Sequence, residues 1–238
     1  MGANPVAENP VVAALAGRAR ANGSEPLLTW YRPETGGRTE LSVRTLANWV
    51  DKTANLLSDL GVEGMVAGPV SLAHPGHWMS LLWPLAAWQH GSAWLAGEPQ
   101  GPEELVVGGP DVHHHPGTTT LACSLHPLGL GLRELPHGVL DFTGEALAQP
   151  DAHWSEPVSW SRPAWVDDAA QWSHADTGAL AGQAGRVLVR PGTAWDTLAA
   201  AVLGPVLGGG SAVVVEGPVE EDALARIAAA ERITTGLA

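Results

Sequence analysis

The chain has 238 residues, 45% of them apolar, and a formal net charge of -13 at pH 7. That length can bury a substantial core, and the acidic balance, with no basic stripe to offset it, excludes a nucleic-acid or anionic-membrane footprint. No uncharged apolar run reaches about 18 residues, so no segment reads as a membrane span.

Glu8 precedes the first apolar run and Arg18 and Arg20 follow it, the reverse of the charge order of a secretory signal. Cys123 is the one cysteine, so no disulfide framework is expected and the expected compartment is a reducing cytoplasm. Lys52 is the one lysine; beside Asp51 in a helical stretch, it reads as part of a solvated face.

In chain order, residues Pro5 to Arg18 predict a short helix. Leu27 to Tyr31 and Arg38 to Leu41, around Pro33 to Gly37, predict a hairpin. Ser42 is a good N-cap for a helix running to Leu60. Its apolar positions Val43, Leu46, Val50, Ala54 and Leu57 share one side, and Gly61 ends it. A buried strand is expected over Pro69 to Ala73, centred on Val70 to Ala73, then a turn at His74-Pro75-Gly76. A helix over His77 to His90 carries apolar residues nearly all round, which predicts burial between layers, with a bend at Pro84. Ser92 to Leu95 predicts a strand, Gly97 to Pro102 a turn, Glu103 to Val107 a short strand and Gly108 to Gly117 a loop. Thr119 to Ser124 and Val139 to Phe142 predict strands, and Gly144 to Gln149 a helix. Pro150 to Trp172, with four tryptophans, three prolines and no clean period, reads as a long ordered loop.

Regular pattern returns with a strand at Arg186 to Arg190, including Val187 to Val189, and a helix at Thr193 to Leu207. A strand at Ala212 to Val215, a helix at Glu220 to Glu231 and a strand at Ile233 to Leu237 follow. This second unit echoes the first: strand, Pro-Gly turn, helix, Gly-Ser-Ala, strand. Two strand–helix–strand crossovers predict an α/β fold, with predominantly parallel sheet flanked by helices. The expected organisation is one unit over 1–238 or two lobes, 1–125 and 126–238, the second carrying the Trp/Pro-rich loop 150–172.

Several stretches invite a site. His113-His114-His115, near Asp111, Cys123 and His126, lacks the pairing of a tetrahedral metal centre and reads as a solvated loop, so no metal is expected. Gly208-Gly209-Gly210 ends a helix and leads into a strand, the wrong polarity for a phosphate loop. His74-Pro75-Gly76-His77 follows a strand and opens a helix, where open α/β sheets hold ligands. Asp167-Asp168 reads as loop solvation. No Ser–His–Asp arrangement or nucleophile elbow is present, and no catalytic residue is assigned.

From Glu40 to Leu95 the order of elements resembles the N-terminal part of the AMP-binding, acyl-CoA synthetase-like (adenylate-forming) enzymes. Glu40-Leu-Ser-Val-Arg-Thr-Leu46 stands for the start of a helix, Leu57-Ser-Asp-Leu-Gly-Val62 for its end, and Gly68-Pro-Val-Ser-Leu-Ala-His-Pro75 for the strand that follows. Ser173-His174 falls where that family has Thr-His after its phosphate loop; Gly185 to Val215 and Glu221 to Thr234 resemble its next units. The resemblance implies that family's fold, and adds Trp172, Ser173 and His174 to His74 and His77 as candidate ligand contacts. Against it, the phosphate-loop position reads Trp165-Val-Asp-Asp-Ala-Ala-Gln-Trp172, and acidic residues there would repel a triphosphate. The family's magnesium-binding motifs and C-terminal domain with its catalytic lysine have no counterpart in the 238 residues. The expectation is a non-catalytic relative that binds a small molecule or a protein partner, with no cofactor and AMP or ATP as the alternative. The competing expectation is ATP-dependent acyl-adenylate chemistry with a rebuilt site, or one completed by another chain. Ligand and oligomeric state are not legible in the sequence.

Overall fold

The computed structural model describes residues 5–101 and 105–235. The chain opens with β1 (Val6–Ala7), α1 (Pro10–Asn22), the hairpin β2 (Pro26–Arg32) and β3 (Gly37–Ser42), and α2 (Val43–Asp59). It continues through β4 (Met65–Ala67), α3 (Pro69–Ala73), α4 (Trp78–His90), β5 (Ala93–Leu95), β6 (Leu105–Gly108), β7 (Thr119–Ala122), β8 (Val139–Asp141) and α5 (Phe142–Leu147). Then come β9 (Val158–Ser159), β10 (Pro163–Val166), β11 (Gln171–Ser173), α6 (His174–Gly178) and β12 (Arg186–Val189). The last elements are α7 (Ala194–Leu198), α8 (Gly204–Gly208), joined to α7 by a π-helical turn, β13 (Ser211–Val215) and α9 (Glu221–Ala230).

Local chemistry sets these boundaries. Asn9 accepts from the Val11 and Val12 amides and Pro10 occupies the first helical turn, a proline position that sacrifices no hydrogen bond. The first helix therefore starts later than the pattern Pro5 to Arg18 predicts, and Val6–Ala7 instead pairs with β9. Ser42 caps α2 through the Thr45 amide at 3.1 Å, as expected, and Gly61 adopts φ +70° just beyond its end.

The strand expected at Val70 to Ala73 is a correction: those residues form α3. Pro69 cannot donate to a sheet ladder and presets the helical φ, so the strand lies earlier, at Met65–Ala67. The handover is tight, because a Cβ on Gly68 would lie 1.8 Å from Trp94 Cζ2 on the neighbouring strand. The Trp/Pro-rich stretch is a second correction. Within Pro150 to Trp172 lie β9, β10 and the start of β11, and β10 pairs in parallel with β5. Ala164 and Trp165 are both buried, so β10 has an apolar residue toward each face and shows no alternation.

Two larger sheets result. The seven-stranded sheet has the order β11-β10-β5-β4-β6-β7-β8 and the four-stranded sheet β12-β13-β2-β3. All pairs are parallel except β10–β11 and β2–β3. The fold class is thus the expected one: mixed α/β, largely parallel, with helices packed on the sheets. Each expected strand–helix–strand unit supplies one adjacent parallel pair, β4–β5 and β12–β13. The sheets do not respect a division at residue 125, because β2 and β3 complete the sheet of β12 and β13, and β10 and β11 complete that of β4 to β8.

Between the sheets runs one continuous core, which takes Val187 and Val214 from one and Leu105 and Leu121 from the other. At its centre is α4, buried at every position from Trp78 to Gln89. A helix apolar all round has no solvent face, as the sequence predicts. On the far side of the four-stranded sheet, Leu224 and Ile227 of α9 pack over Leu188, Val213 and Val215. The strand expected at Ile233 to Leu237 is an isolated bridge, Val187 with Thr235, and 236–238 lie outside the described residues, as does Glu103 of the strand expected at Glu103 to Val107. Among the described residues no helix is long and apolar enough to cross a membrane.

Candidate functional site

Strands β4 and β6 are neighbours, and the chain leaves them at Gly68 and Gly109. Their carboxyl ends frame a crevice of about 360 Å³ bordered by Pro69, Ala73, Gly109, Asp111 and the imidazoles of 113–115. Crevices at the carboxyl ends of parallel strands are where open α/β sheets bind ligands. The half-buried His74 sits at its edge, with the ring 3.5 Å from where a Cβ on Gly109 would stand.

His74 also looks across to the other sheet. Burial lowers its pKa, and Glu216, Arg32 and Asp111 are the charges that act on it. The first two end strands of the four-stranded sheet. Val189 pairs with Val214 and Val215 with Tyr31, so Arg190, Glu216 and Arg32 lie along one carboxyl edge. The Trp30 indole donates to the Glu216 carboxylate at 2.9 Å, and Arg190 donates to the Gly217 carbonyl at 2.6 Å. Arg32 Nε and Arg190 Nη1 are buried without a hydrogen-bond partner, Arg32 Nε standing 3.7 Å from Glu34. Buried guanidinium N–H groups left unspent are uncommon and mark places for an anion or an ordered water. Sequence reasoning passed over these residues, although Arg32-Pro33 and Arg190-Pro191 repeat one signal: a charge and a strand-ending proline directly after an apolar run.

The other candidates hold the scaffold. His77 caps α4 by accepting from the Met79 amide at 3.2 Å, and its ring meets Trp30 edge-on, centroids 4.7 Å apart. Burial, reinforced by His74, pulls its pKa down to about 3, so it is neutral at physiological pH. His174 is buried and hydrogen-bonded to Asn9 at 2.9 Å, its pKa lowered to about 4, chiefly by burial and then by Arg162. Ser173 and Asp176 form a capping box on α6, and Trp172 stacks on Trp195 at 4.9 Å. Among the described residues no hydrogen bond or ring contact joins Trp172, Ser173 and His174 to His74 and His77.

Between β10 and β11, where the resembled enzymes have a phosphate loop, the chain makes a tight antiparallel turn. Asp167 Oδ1 accepts from the Ala169 and Ala170 amides, both at 2.8 Å, and Oδ2 from the Trp165 indole at 2.8 Å. The solvated-loop reading of Asp167 is therefore corrected: its carboxylate fills the backbone nest of its own turn. Lys52 is corrected likewise. It donates to the Gln149 carbonyl at 2.5 Å and pairs with Asp151 at 2.7 Å, tying the segment after α5 to α2. Cys123 is buried, its thiol pushed up to about 12 by burial, which removes it as a nucleophile. Among the described residues no group of three metal-ligating side chains converges.

No family model matches the chain. A Mycobacterium tuberculosis protein, named only by family membership, is 32% identical over 133 residues, 52% of this chain and 53% of that protein. The structure of Brucella canis acyl-CoA synthetase superposes with TM-score 0.75 at 18% identity, covering 99% of this chain and 48% of that one. Acetoacetyl-CoA synthetase from Streptomyces lividans gives TM-score 0.74 at 19% identity, covering 95% and 42%. The fold is that of acyl-CoA synthetase-like structures. The match spans about half the length of the curated relative and somewhat less of each solved structure.

Proposed function

We propose that this chain uses an acyl-CoA synthetase-like fold to bind a small molecule or a protein partner, and that it does not itself form adenylates. The observation that carries this reading is the β10–β11 turn. A phosphate loop works by leaving backbone N–H groups empty for an incoming anion. Here the Asp167 carboxylate holds the Ala169 and Ala170 amides, and Asp168 stands beside it, so a triphosphate would meet negative charge with its donors already taken. The residues present do not fit AMP or ATP at that place, and Lys52 is engaged elsewhere. Loss of a single donor of transition-state charge typically costs about 10²–10³ in rate.

The proposed ligand position is the carboxyl-edge crevice, with His74 and the Arg32–Glu216–Arg190 row in reach. His77 would serve it by capping α4 beside His74, while Trp172, Ser173 and His174 fix β11 and α6 at the far edge of the same sheet. The single, deeply buried thiol supports a cytoplasmic setting. In a second reading the site is rebuilt or completed by another chain: Arg32 Nε and Arg190 Nη1, buried without hydrogen-bond partners, would hold a phosphate, and adenylate chemistry would occur once that chain is present.

The test is pyrophosphate exchange with a broad carboxylate panel, together with melting in the presence of ATP, AMP, CoA and acyl-adenylate analogues. The expected result is no exchange and no shift from ATP or AMP, since any ligand of the folded state alone raises stability. Robust exchange by the purified chain, lost in His174→Ala, would overturn the proposal. Exchange that appears only on adding a second protein would establish the second reading.

A further inference from the structure

A second cavity lies well away from the sheet edges, on the helical layer. It encloses about 280 Å³ between α1, α2, the end of α4 and the strap 152–155. Its wall is apolar, formed by Val12, Leu15, Ala16 and Ala47; its two ends are not. We propose that it binds a small organic acid, with the carboxylate held by Arg20 and Arg44 and the apolar body lying along α1 and α2.

Four observations support this. First, Arg20 and Arg44 line the same mouth. The Arg44 guanidinium donates to the carbonyl of Ala19, next to Arg20, at 3.3 Å, and lies against Gly23, where a Cβ would come within 2.8 Å of it. Among the described residues neither arginine is in an ion pair, so both guanidinium charges are available to a carboxylate, which such a planar fork can bind bidentately. Second, the inner end is polar and ordered: Gln89 donates to Asp51 at 2.5 Å. Burial raises the Asp51 pKa against the hydrogen bonds from Gln89 and the His153 backbone. Third, His153 Nδ1 is buried without a partner, while its other nitrogen is 3.5 Å from Ser58 Oγ; a buried imidazole nitrogen left unspent calls for an occupant or a water. Fourth, Trp154, between the lining residues His153 and Ser155, is 94% exposed. A tryptophan so bare is unusual, and its neighbours in the chain on both sides line the cavity. An apolar cleft with a few convergent polar groups and perturbed titrating residues is the general form of a small-molecule site.

The inference adds a binding site separate from the carboxyl-edge crevice and stands apart from the question of adenylation. Hexanoate and 3-phenylpropanoate, each compared with its primary amide, are titrated by calorimetry into the full chain, and then into three variants. The acids should bind and the amides should bind at least tenfold more weakly, in line with one charge-assisted pair. Arg20→Gln combined with Arg44→Gln should abolish binding while the fold persists with a slightly lowered melting temperature, since both side chains are exposed and only the long Arg44 bond to the Ala19 carbonyl is lost. Ala16→Phe should block the cavity, and His74→Ala, at the carboxyl-edge crevice, should leave binding intact. No heat with either acid, equal binding of the amides, or binding that survives the double arginine variant would each overturn the proposal. Loss of binding in His74→Ala with retention in the arginine variant would place the acid in the crevice instead. None of these outcomes depends on the pyrophosphate result.

Discussion

Acidification from pH 7 to pH 4 should remove about 5 kcal/mol of folding stability, most of it above pH 4.5. The cause is His77 and His174, neutral inside the protein with pKa values of about 3 and about 4 and near 6.5 once exposed. When the folded pKa lies below the unfolded one, the unfolded chain binds more protons between the two values, and stability falls as pH falls through that window. At pH 4 each histidine can cost up to about 3 kcal/mol at roughly 1.4 kcal/mol per unit. Glu231, whose pKa is lowered by its hydrogen bonds from Tyr31, Arg186 and Arg38 against the opposing effect of burial, adds a loss of the same sign at the acid end, below about pH 4.5. Urea unfolding at half-unit pH steps measures the curve. His77→Asn, which keeps a capping acceptor, and His174→Gln should each flatten the segment between pH 6.5 and 4.5. A wild-type curve flat over that segment, or one unchanged in both variants, would show that these rings are not held neutral.

The second large effect is Trp83→Ala, expected to cost about 3–5 kcal/mol. The Trp83 side chain is 0% exposed, stacks on Trp94 at 6.0 Å, packs on Phe142 at 4.8 Å and donates to Cys123 Sγ at 3.3 Å. It fills the space where α4 meets the seven-stranded sheet and α5, so its loss leaves a cavity that three rigid elements cannot close. Trp83→Phe should recover part of the loss. Chemical denaturation reads both, and a loss under about 1 kcal/mol for the alanine variant would mean that α4 is not the central packing element.

Elements governed by local chemistry were legible in the sequence. The helix between Ser42 and Gly61 carries its cap, its stripe and its stop within its own residues, and the all-round apolarity of α4 announces its burial. Elements governed by neighbours were not. Val70 to Ala73 has strand composition, but Pro69 and the close approach of Trp94 to Gly68 turn it into a helical turn. Trp165 belongs to a strand buried on both faces, which leaves no period to read. The candidate site shows the same dependence. His74 is read from a strand–turn–helix order that the structure does not keep, since α3 precedes it, and Arg32, Glu216 and Arg190 are brought into one row by the order β12-β13-β2, which crosses most of the chain. Asp167 could be named as acidic, but only the turn shows that its charge is spent on the Ala169 and Ala170 amides.

That strand order also sets a timetable for synthesis. Leu28 pairs with Ala212, so the hairpin of β2 and β3 leaves the ribosome long before the strand it lies beside exists. At ordinary elongation rates of about 5–20 residues per second, the wait is roughly 10–40 s. For that time one edge of β2, Leu27 to Tyr31, offers unpaired backbone groups on an apolar, partly aromatic strand, the condition under which nascent chains pair wrongly or recruit chaperones. Pairing Leu28 with Ala212 closes a long stretch of chain, and non-local pairings of that kind are slow to form.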